Sequence, residues 1–132
     1  MRPHLLDANV VIALVVTEHE HHHQARTWFQ DQDQERLLLC SVVEGALVRM
    51  LLRLGERGEA VEQVLVALHD HQRIDFLADS PSYLGVPLGT LTGHRQVTDE
   101  YLVMLASHAG ARLATFDRAL SVRYPEQVTA LA

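Results

Sequence analysis

Lysine is absent from this 132-residue sequence, and all 11 of its basic residues are arginine. The absence excludes enzyme classes whose chemistry depends on a lysine side chain. Acidic residues number 17, which gives a formal net charge of −6 with histidine neutral. A chain with this balance has no global positive field of the kind that attracts nucleic acid. Contacts with a phosphate backbone would have to come from individual arginines, which can bind phosphate in a bidentate manner.

Cysteine and aromatic residues are also scarce. Cys40 is the single cysteine, which excludes a disulfide framework and a cysteine-based zinc site. It lies in an apolar run, where a small buried thiol is the expected state. Aromatic residues make up 5% of the chain while apolar residues make up 48%. These proportions favour a core of leucine, valine and alanine between helices and a sheet over an aromatic-rich β-sandwich.

Long hydrophobic runs are missing as well. No apolar run approaches the roughly 20 residues that a membrane-spanning helix requires. The first predicted strand begins at residue 3, which leaves no room for a signal peptide, so we expect a cytoplasmic protein. The length is that of one domain with a sizeable core, and residues 1–132 show no linker, repeat or low-complexity tract.

Short apolar strands alternate with helical patterns along the chain, which predicts an α/β fold with a mostly parallel central sheet flanked by helices. The predicted strands are 3–6, 37–40, 73–77, 112–115 and 127–131. The predicted helices are 9–16, a second one ending near 31, one starting at 41, 59–71, one starting after 98, and 119–123. Residues 31–36 form a predicted polar turn. The longest irregular segment, 78–92, is expected to line or cover the crevice at one edge of the sheet.

Asp7 lies where the first strand runs directly into the first helix. In an open α/β sheet, ligands bind in the crevice beyond the carboxyl ends of the strands, and Asp7 is predicted to lie there. Asn9 is the predicted N-cap of the following helix. A carboxylate between two buried elements requires partners, because an isolated buried charge is costly.

Three further acids occupy comparable positions. Asp117 follows the fourth predicted strand, and Asp99 falls in the first turn of a helix that Thr98 is predicted to cap. Glu44 has two explanations, which the sequence divides about evenly. It could complete a capping box with Ser41, or it could be a second acidic group at the edge of the sheet that carries Asp7.

Four carboxylates brought together cannot all remain ionised without a cation. Mg²⁺ and Mn²⁺ prefer oxygen ligands, and such an ion would solve the problem. The pattern therefore predicts an acidic pocket for one or two divalent cations. The corresponding chemistry is attack of metal-activated water on a phosphodiester.

The segments 5–10, 94–102 and 113–117, together with the helix start at Glu44 and Gly45, resemble the PIN domain, and more narrowly the VapC-type toxins of bacterial toxin–antitoxin modules. The resemblance covers almost the whole chain in the right order. It implies a three-layer PIN-like fold, and it matches the family's four metal-site acids to Asp7, Glu44, Asp99 and Asp117, with Glu100 as a neighbour. It further implies an Mg²⁺- or Mn²⁺-dependent endoribonuclease acting on tRNA, rRNA or mRNA. A homodimer and inhibition by a cognate VapB-type antitoxin are implied as well.

Other classes fit less well. A receiver domain also clusters acids at strand ends but needs a strand-end lysine. A haloacid-dehalogenase-type phosphatase needs a lysine and a second aspartate at position 9, which is Asn9 here. A catalytically inert PIN-like scaffold that binds protein or RNA is the remaining alternative, although such a scaffold would be expected to have lost acids.

Two sets of side chains are open to more than one interpretation. The histidines His19, His21, His22 and His23 resemble a metal site, since two of them are spaced i and i+4, but no third ligand flanks them. A solvated helix start is the preferred interpretation. The arginines predicted near the rim of the pocket are Arg49, Arg53, Arg95 and Arg118. For each of them, an ion-paired surface position and an RNA contact are equally compatible with the sequence.

Overall fold

A five-stranded parallel sheet is the centre of the computed structural model, which describes residues 2–32, 35–79 and 81–131. The strands are β1 (His4–Leu6), β2 (Leu37–Cys40), β3 (Ile74–Leu77), β4 (Arg112–Thr115) and β5 (Val128–Ala130). Their order across the sheet is β3-β2-β1-β4-β5, and every neighbouring pair is parallel. The predicted α/β class with a parallel sheet is therefore confirmed.

Six helices and three 3₁₀ turns connect the strands within the described residues. The helices are α1 (Ala8–Val15), α2 (His22–Asp31), α3 (Ser41–Arg53), α4 (Gly58–Asp70), α5 (Val97–His108) and α6 (Arg118–Arg123), and the turns are Tyr83–Gly85, Leu88–Thr90 and His94–Gln96. Right-handed crossovers place α1 to α4 on one face of the sheet and α5 and α6 on the other. The strand order reverses between β1 and β4, which makes their carboxyl ends the topological switch point.

The core follows from the apolar runs of the central strands. Leu5 and Leu6 on β1 and Leu113 on β4 are buried, as are Leu102 and Leu105 of α5. Central parallel strands are covered by helices on both faces, so consecutive apolar residues are required there. The thiol of Cys40 is buried and free.

The predicted starts of α1, α4, α5 and α6 are one or two residues too late, and in two of these helices the predicted cap is also wrong. Asp7, rather than Asn9, is the N-cap of α1, and its carboxylate accepts a hydrogen bond from the Ala8 amide. The helix α5 begins at Val97, so Thr98 lies inside its first turn instead of capping it. Asn9 does not cap α1 because its side-chain amide bonds Thr115 and Phe116 at the end of β4 instead.

The predicted capping box of α3 is also wrong. Ser41 is the first helical residue, and Cys40 occupies the N-cap position without a side-chain hydrogen bond. The Val42 amide donates instead to the carboxylate of Asp79 at 3.2 Å. A carboxylate from a distant segment thus fills the place at the helix N-terminus where a local cap was expected.

The irregular segment between β3 and α5 contacts α5 through its first residues. The Tyr101 hydroxyl donates to the backbone carbonyls of Asp79 at 3.3 Å and Pro81 at 2.9 Å. Residue 80 of this segment and residues 33 and 34 of the predicted 31–36 turn lie outside the described residues. Within the part of the chain that the structure describes, no helix is long and apolar enough to span a bilayer.

Candidate active site

Asp7 is held rigidly at the carboxyl end of β1. Only 6% of its surface is exposed. One carboxylate oxygen accepts a hydrogen bond from the Ala8 amide at 2.7 Å, and the other accepts one from the Thr115 hydroxyl at 2.7 Å. Burial raises the pKa of this carboxyl, and the two hydrogen bonds and the nearby Asp117 charge follow as smaller influences, lowering and raising it respectively.

A small hydrogen-bond network joins the ends of β1 and β4 around this carboxylate. The Asn9 amide nitrogen donates to the Thr115 hydroxyl at 3.2 Å, and its carbonyl oxygen accepts from the Phe116 amide at 3.3 Å. The Asp117 amide donates to the same hydroxyl at 3.1 Å. The sequence analysis did not predict Thr115 and Asn9 as site residues. Thr115 is a polar residue at the end of an apolar strand, and Asn9 is a polar residue at the start of an apolar helix. A single polar side chain in such an apolar stretch is the signal that could have identified them.

Asp99 and Asp117 face Asp7 from the other two elements of the site. Asp117 is the N-cap of α6 and accepts from the Leu120 amide at 3.1 Å, while Asp99 lies in the first turn of α5. The pKa of Asp99 is raised to about 6, first by burial and then by the charges of Asp7, Asp117 and Glu100. Three carboxyl groups from β1, α5 and the end of β4 thus repel one another at the switch point.

This repulsion predicts that Asp99→Asn stabilises the metal-free protein at neutral pH. A folded pKa of about 6 against 3.8 in the unfolded chain means that the folded state binds more protons between these values. The free energy of unfolding therefore falls as the pH rises through this window, and the loss is complete above it. Since the group is half-exposed, we discount the effect to about 1 kcal/mol at pH 7.5, or a few degrees in melting temperature.

Thermal denaturation in EDTA at pH 7.5 and pH 4.5 measures this gain, which should shrink at the lower pH. The matched control is Glu62→Gln on the exposed side of α4, away from both helix ends, which should change the melting temperature at neither pH. An unchanged or lower melting temperature for Asp99→Asn at pH 7.5 would contradict the mutual repulsion.

Glu44 does not share the hydrogen bonds of the other three acids. Its carboxylate accepts from His69 Nε2 of α4 at 2.5 Å, and its side chain is 16% exposed. It lies in the first turn of α3, beyond the carboxyl end of β2. The structure therefore brings Asp7, Asp99 and Asp117 within reach of one another's charges and ties Glu44 to His69 instead.

Glu100 is buried beside Asp99 and is fully engaged in another contact. Its side chain is 1% exposed and forms an ion pair with Arg123. The Tyr124 hydroxyl donates to its second oxygen at 2.5 Å. Buried charges are paired in folded proteins because an unpaired one is costly. Glu100 thus joins α5 to the end of α6, and Arg123, which was not predicted to take part, lies close enough to lower the pKa of Asp99.

The four arginines predicted at the rim lie on three different elements of the structure. Arg118 directly follows Asp117 on α6, and Arg95 lies in the 3₁₀ turn before α5; both are exposed. Arg49 is exposed on α3. Arg53 ends the same helix, about 14 Å along its axis from Glu44. Their contact with RNA stays a prediction.

The histidines before α2 have partners of their own. His22 Nδ1 lies 2.7 Å from the Ala13 carbonyl, His19 Nδ1 accepts from the His21 amide, and the His21 ring bonds Gln24. The His21 ring also stacks on Phe116, the residue before Asp117. The stack on Phe116 places His21 at the edge of the acid cluster, by which we mean Asp7, Asp99 and Asp117. The sequence did not predict this position.

The acid cluster offers only oxygen donors, the ligand type that Mg²⁺ and Mn²⁺ prefer. Burial raises the pKa of Asp7 and of Asp99, and among the charges near Asp99 three carboxylates raise its pKa while Arg123 lowers it. Within the described residues, no group of three acid, histidine or cysteine side chains is arranged to hold a metal ion. The fit is therefore one of donor chemistry alone, since carboxylate oxygens suit a divalent cation that keeps several water ligands.

Comparison with known proteins gives consistent matches. The profile of the PIN domain family matches residues 4–124. Ribonuclease VapC29 of Mycobacterium tuberculosis is 44% identical over 117 residues, which is 89% of this chain and 87% of that protein. Ribonuclease VapC38 of the same species is 36% identical over 118 residues, covering 86% and 84%.

Two solved structures share the fold at low sequence identity. Mycobacterium tuberculosis VapC20, a Sarcin-Ricin loop cleaving toxin, superimposes with a TM-score of 0.69 at 13% identity and covers 91% of this chain and 94% of its own. VapBC2 from Rickettsia felis, bound to a DNA fragment from its promoter, gives a TM-score of 0.67 at 12% identity, with coverage of 96% and 97%.

Proposed function

The chain belongs to the PIN-domain family and within it to the VapC-type ribonucleases, and on this premise we propose that it is an Mg²⁺- or Mn²⁺-dependent endoribonuclease, the toxin of a type II toxin–antitoxin module. The observation that carries the proposal is the convergence of Asp7, Asp99 and Asp117 at the switch point between β1 and β4. Ligands of open α/β sheets bind at this location. The 44% identity to a ribonuclease over most of the chain supports the same reaction class.

Different side chains of the site would bind the cation and orient its ligands. Asp7, Asp99 and Asp117 would hold the divalent cation, and Glu44 would join them from α3. The bound cation would supply an activated water and stabilise negative charge on the phosphate oxygens. Thr115 and Ala8 fix the orientation of the Asp7 carboxylate through its two hydrogen bonds. Because Asn9 ties Thr115 and Phe116 to α1, this orientation is set before RNA binds.

The proposed partners are an RNA substrate, a cognate VapB-type antitoxin and a second copy of the chain. The VapC names of the relatives and the VapBC2 complex support the antitoxin. An arginine or lysine of the antitoxin would compete with the cation for the same carboxylates. Strongly exposed apolar side chains such as Leu84 and Val122, 87% and 78% exposed, support a homodimer that covers part of this surface.

Expression of the chain alone in a bacterial host tests the proposal. An RNase without its inhibitor should cut essential RNA and arrest growth, whereas an inert PIN-like scaffold should not. Asp7→Asn and Asp99→Asn should both relieve the arrest, and sequencing of RNA ends in the arrested cells should reveal new cleavage sites. Normal growth at high expression of folded wild-type protein, with no new RNA ends, would contradict the proposal.

A further inference from the structure

Two pairs of stacked rings lie at the carboxyl edge of the sheet, and neither takes part in the chemistry described above. The imidazole of His21 stacks on Phe116, with ring centroids 4.7 Å apart and planes inclined by 20°. The imidazole of His69 stacks on Phe76, with centroids 5.3 Å apart and planes inclined by 25°. Both are offset stacks of the kind that aromatic rings prefer over a face-to-face sandwich.

The strand register places the two stacks on opposite sides of the acids. Phe76 pairs with Leu39 across β3 and β2, which puts it near the level of Leu6, the residue before Asp7. Phe116 directly precedes Asp117 at the end of β4. The strands β2 and β1 lie between β3 and β4, so the two stacks are separated by three strand spacings, about 14 Å across the sheet.

Both stacks also lie on the same face of the sheet. His21 precedes α2 and His69 belongs to α4, and these two helices line one cavity of about 360 Å³ together with α1 and with residues of β1, β2 and β3. Each stack contacts one polar residue at the carboxyl edge of the sheet. His69 holds Glu44, and Phe116 donates its backbone amide to Asn9.

Three of the four rings are accessible, while Phe116 is partly buried against the core. The side chains of His21 and His69 are 40% and 43% exposed, and Phe76 is 47% exposed as a residue. Gln24 fixes the His21 ring, and Glu44 fixes the His69 ring. Rings that serve only to fill a core would be covered, whereas accessible, fixed rings are the usual platform for unstacked bases of single-stranded RNA.

We propose that the His21–Phe116 and His69–Phe76 stacks are two base-stacking platforms that hold unpaired nucleotides of the substrate on either side of the scissile phosphate. The inference rests on the proposed function and adds which side chains would bind the bases of the RNA. A chain with a net charge of −6 and an acidic site gains little from the phosphate backbone, so binding through base faces fits its charge. Base pairing would withhold those faces, and the site should therefore require single-stranded RNA.

Variants that remove or keep a ring test the platforms. The ring-removing variants are His21→Leu and Phe76→Leu, and the ring-keeping partners are His21→Phe and Phe76→Tyr. His23→Leu, at an exposed histidine of the same segment, is the matched control. All are made in the Asp7→Asn background, so that the RNA remains intact while its binding is measured.

The probe is a fluorescein-labelled, unstructured RNA of ten nucleotides, compared with the same strand annealed to its complement and with an abasic strand of equal length. Fluorescence anisotropy gives the Kd at several salt concentrations. Each ring-removing variant should weaken binding of the single strand about tenfold. The ring-keeping variants and His23→Leu should bind like the parent. The dependence of Kd on salt should not change, since no phosphate contact is lost.

Any of three results would contradict the proposal of two stacking platforms. The ring-removing and ring-keeping variants could bind the single strand equally, or the parent protein could bind the abasic strand or the duplex as tightly as the single strand. Melting curves of all variants show whether they are folded, and the abasic strand with the Asp7→Asn parent preserves the test if a leucine variant is not. If wild-type protein cuts RNA while the variants bind alike, the platforms fail and the proposed function stands. If wild-type protein neither binds nor cuts RNA, both fail.

Discussion

Asp7→Asn should lower the rate of RNA cleavage about a thousandfold and leave the protein folded. The substitution removes one negative charge from the proposed cation site at the oxygen atoms that Thr115 and Ala8 hold in place. A cation that stabilises charge in the transition state contributes several kcal/mol, and each 1.4 kcal/mol corresponds to about a factor of ten in rate. The purified protein is assayed with single-stranded RNA in Mg²⁺ or Mn²⁺.

The fold should survive this substitution for local reasons. Asparagine is as good an N-cap as aspartate, so α1 keeps its first-turn hydrogen bond. The Thr115 hydroxyl already accepts from Asn9 and from the Asp117 amide, so its hydrogen bond to residue 7 is lost, a cost of about 1 kcal/mol that the relief of like-charge repulsion offsets. Asp31→Asn, which changes the same chemical group at the exposed end of α2, is the control and should cleave at the wild-type rate. Wild-type cleavage by folded Asp7→Asn protein would contradict the role of Asp7.

Removal of divalent cations should reduce cleavage to the background rate. Burial is the first cause of the raised pKa values of Asp7 and Asp99, and repulsion among the acids of the site adds to it when no cation is bound. The chain has no lysine that could activate a nucleophile by another route. Cleavage is measured in excess EDTA and again after Mg²⁺ or Mn²⁺ is added in molar excess over the chelator.

A readout independent of cleavage accompanies this experiment. Binding of a ligand to the folded state alone raises its stability by an amount that grows with the ligand concentration. Mn²⁺ should therefore raise the melting temperature of the wild-type protein and have little effect on Asp7→Asn. Undiminished cleavage in excess EDTA would end the proposal of a metal-dependent reaction, even if Mn²⁺ stabilised the protein.

The sequence by itself determined the architecture and much of the acid cluster. Consecutive apolar residues such as Leu5 and Leu6 can be buried on both faces only in a central parallel strand, and the alternation with helices left few other topologies. Because the carboxyl ends of parallel strands share one edge, an acid directly after a strand is placed there by topology alone. Asp7 and Asp117 were predictable for this reason, while their role in metal binding stays a prediction.

Only the tertiary structure decided which partner each polar side chain takes. Glu44 had a local explanation as a helix cap, yet it contacts His69, 25 residues further along the chain. The N-terminus of α3 is capped by Asp79 rather than by Ser41. Among the histidines before α2, one ring lies on Phe116, 95 residues away, where a solvated helix start was expected.

The physical reason is the difference between the two kinds of interaction. Burial of apolar surface is non-directional and follows the period of a strand or helix, so it can be predicted from neighbours in sequence. A hydrogen bond depends on the distance and angle between two specific groups. Asp7, Asn9 and Thr115 form their network only because β1 and β4 pair in register, and a pairing across 106 residues is a property of the folded chain.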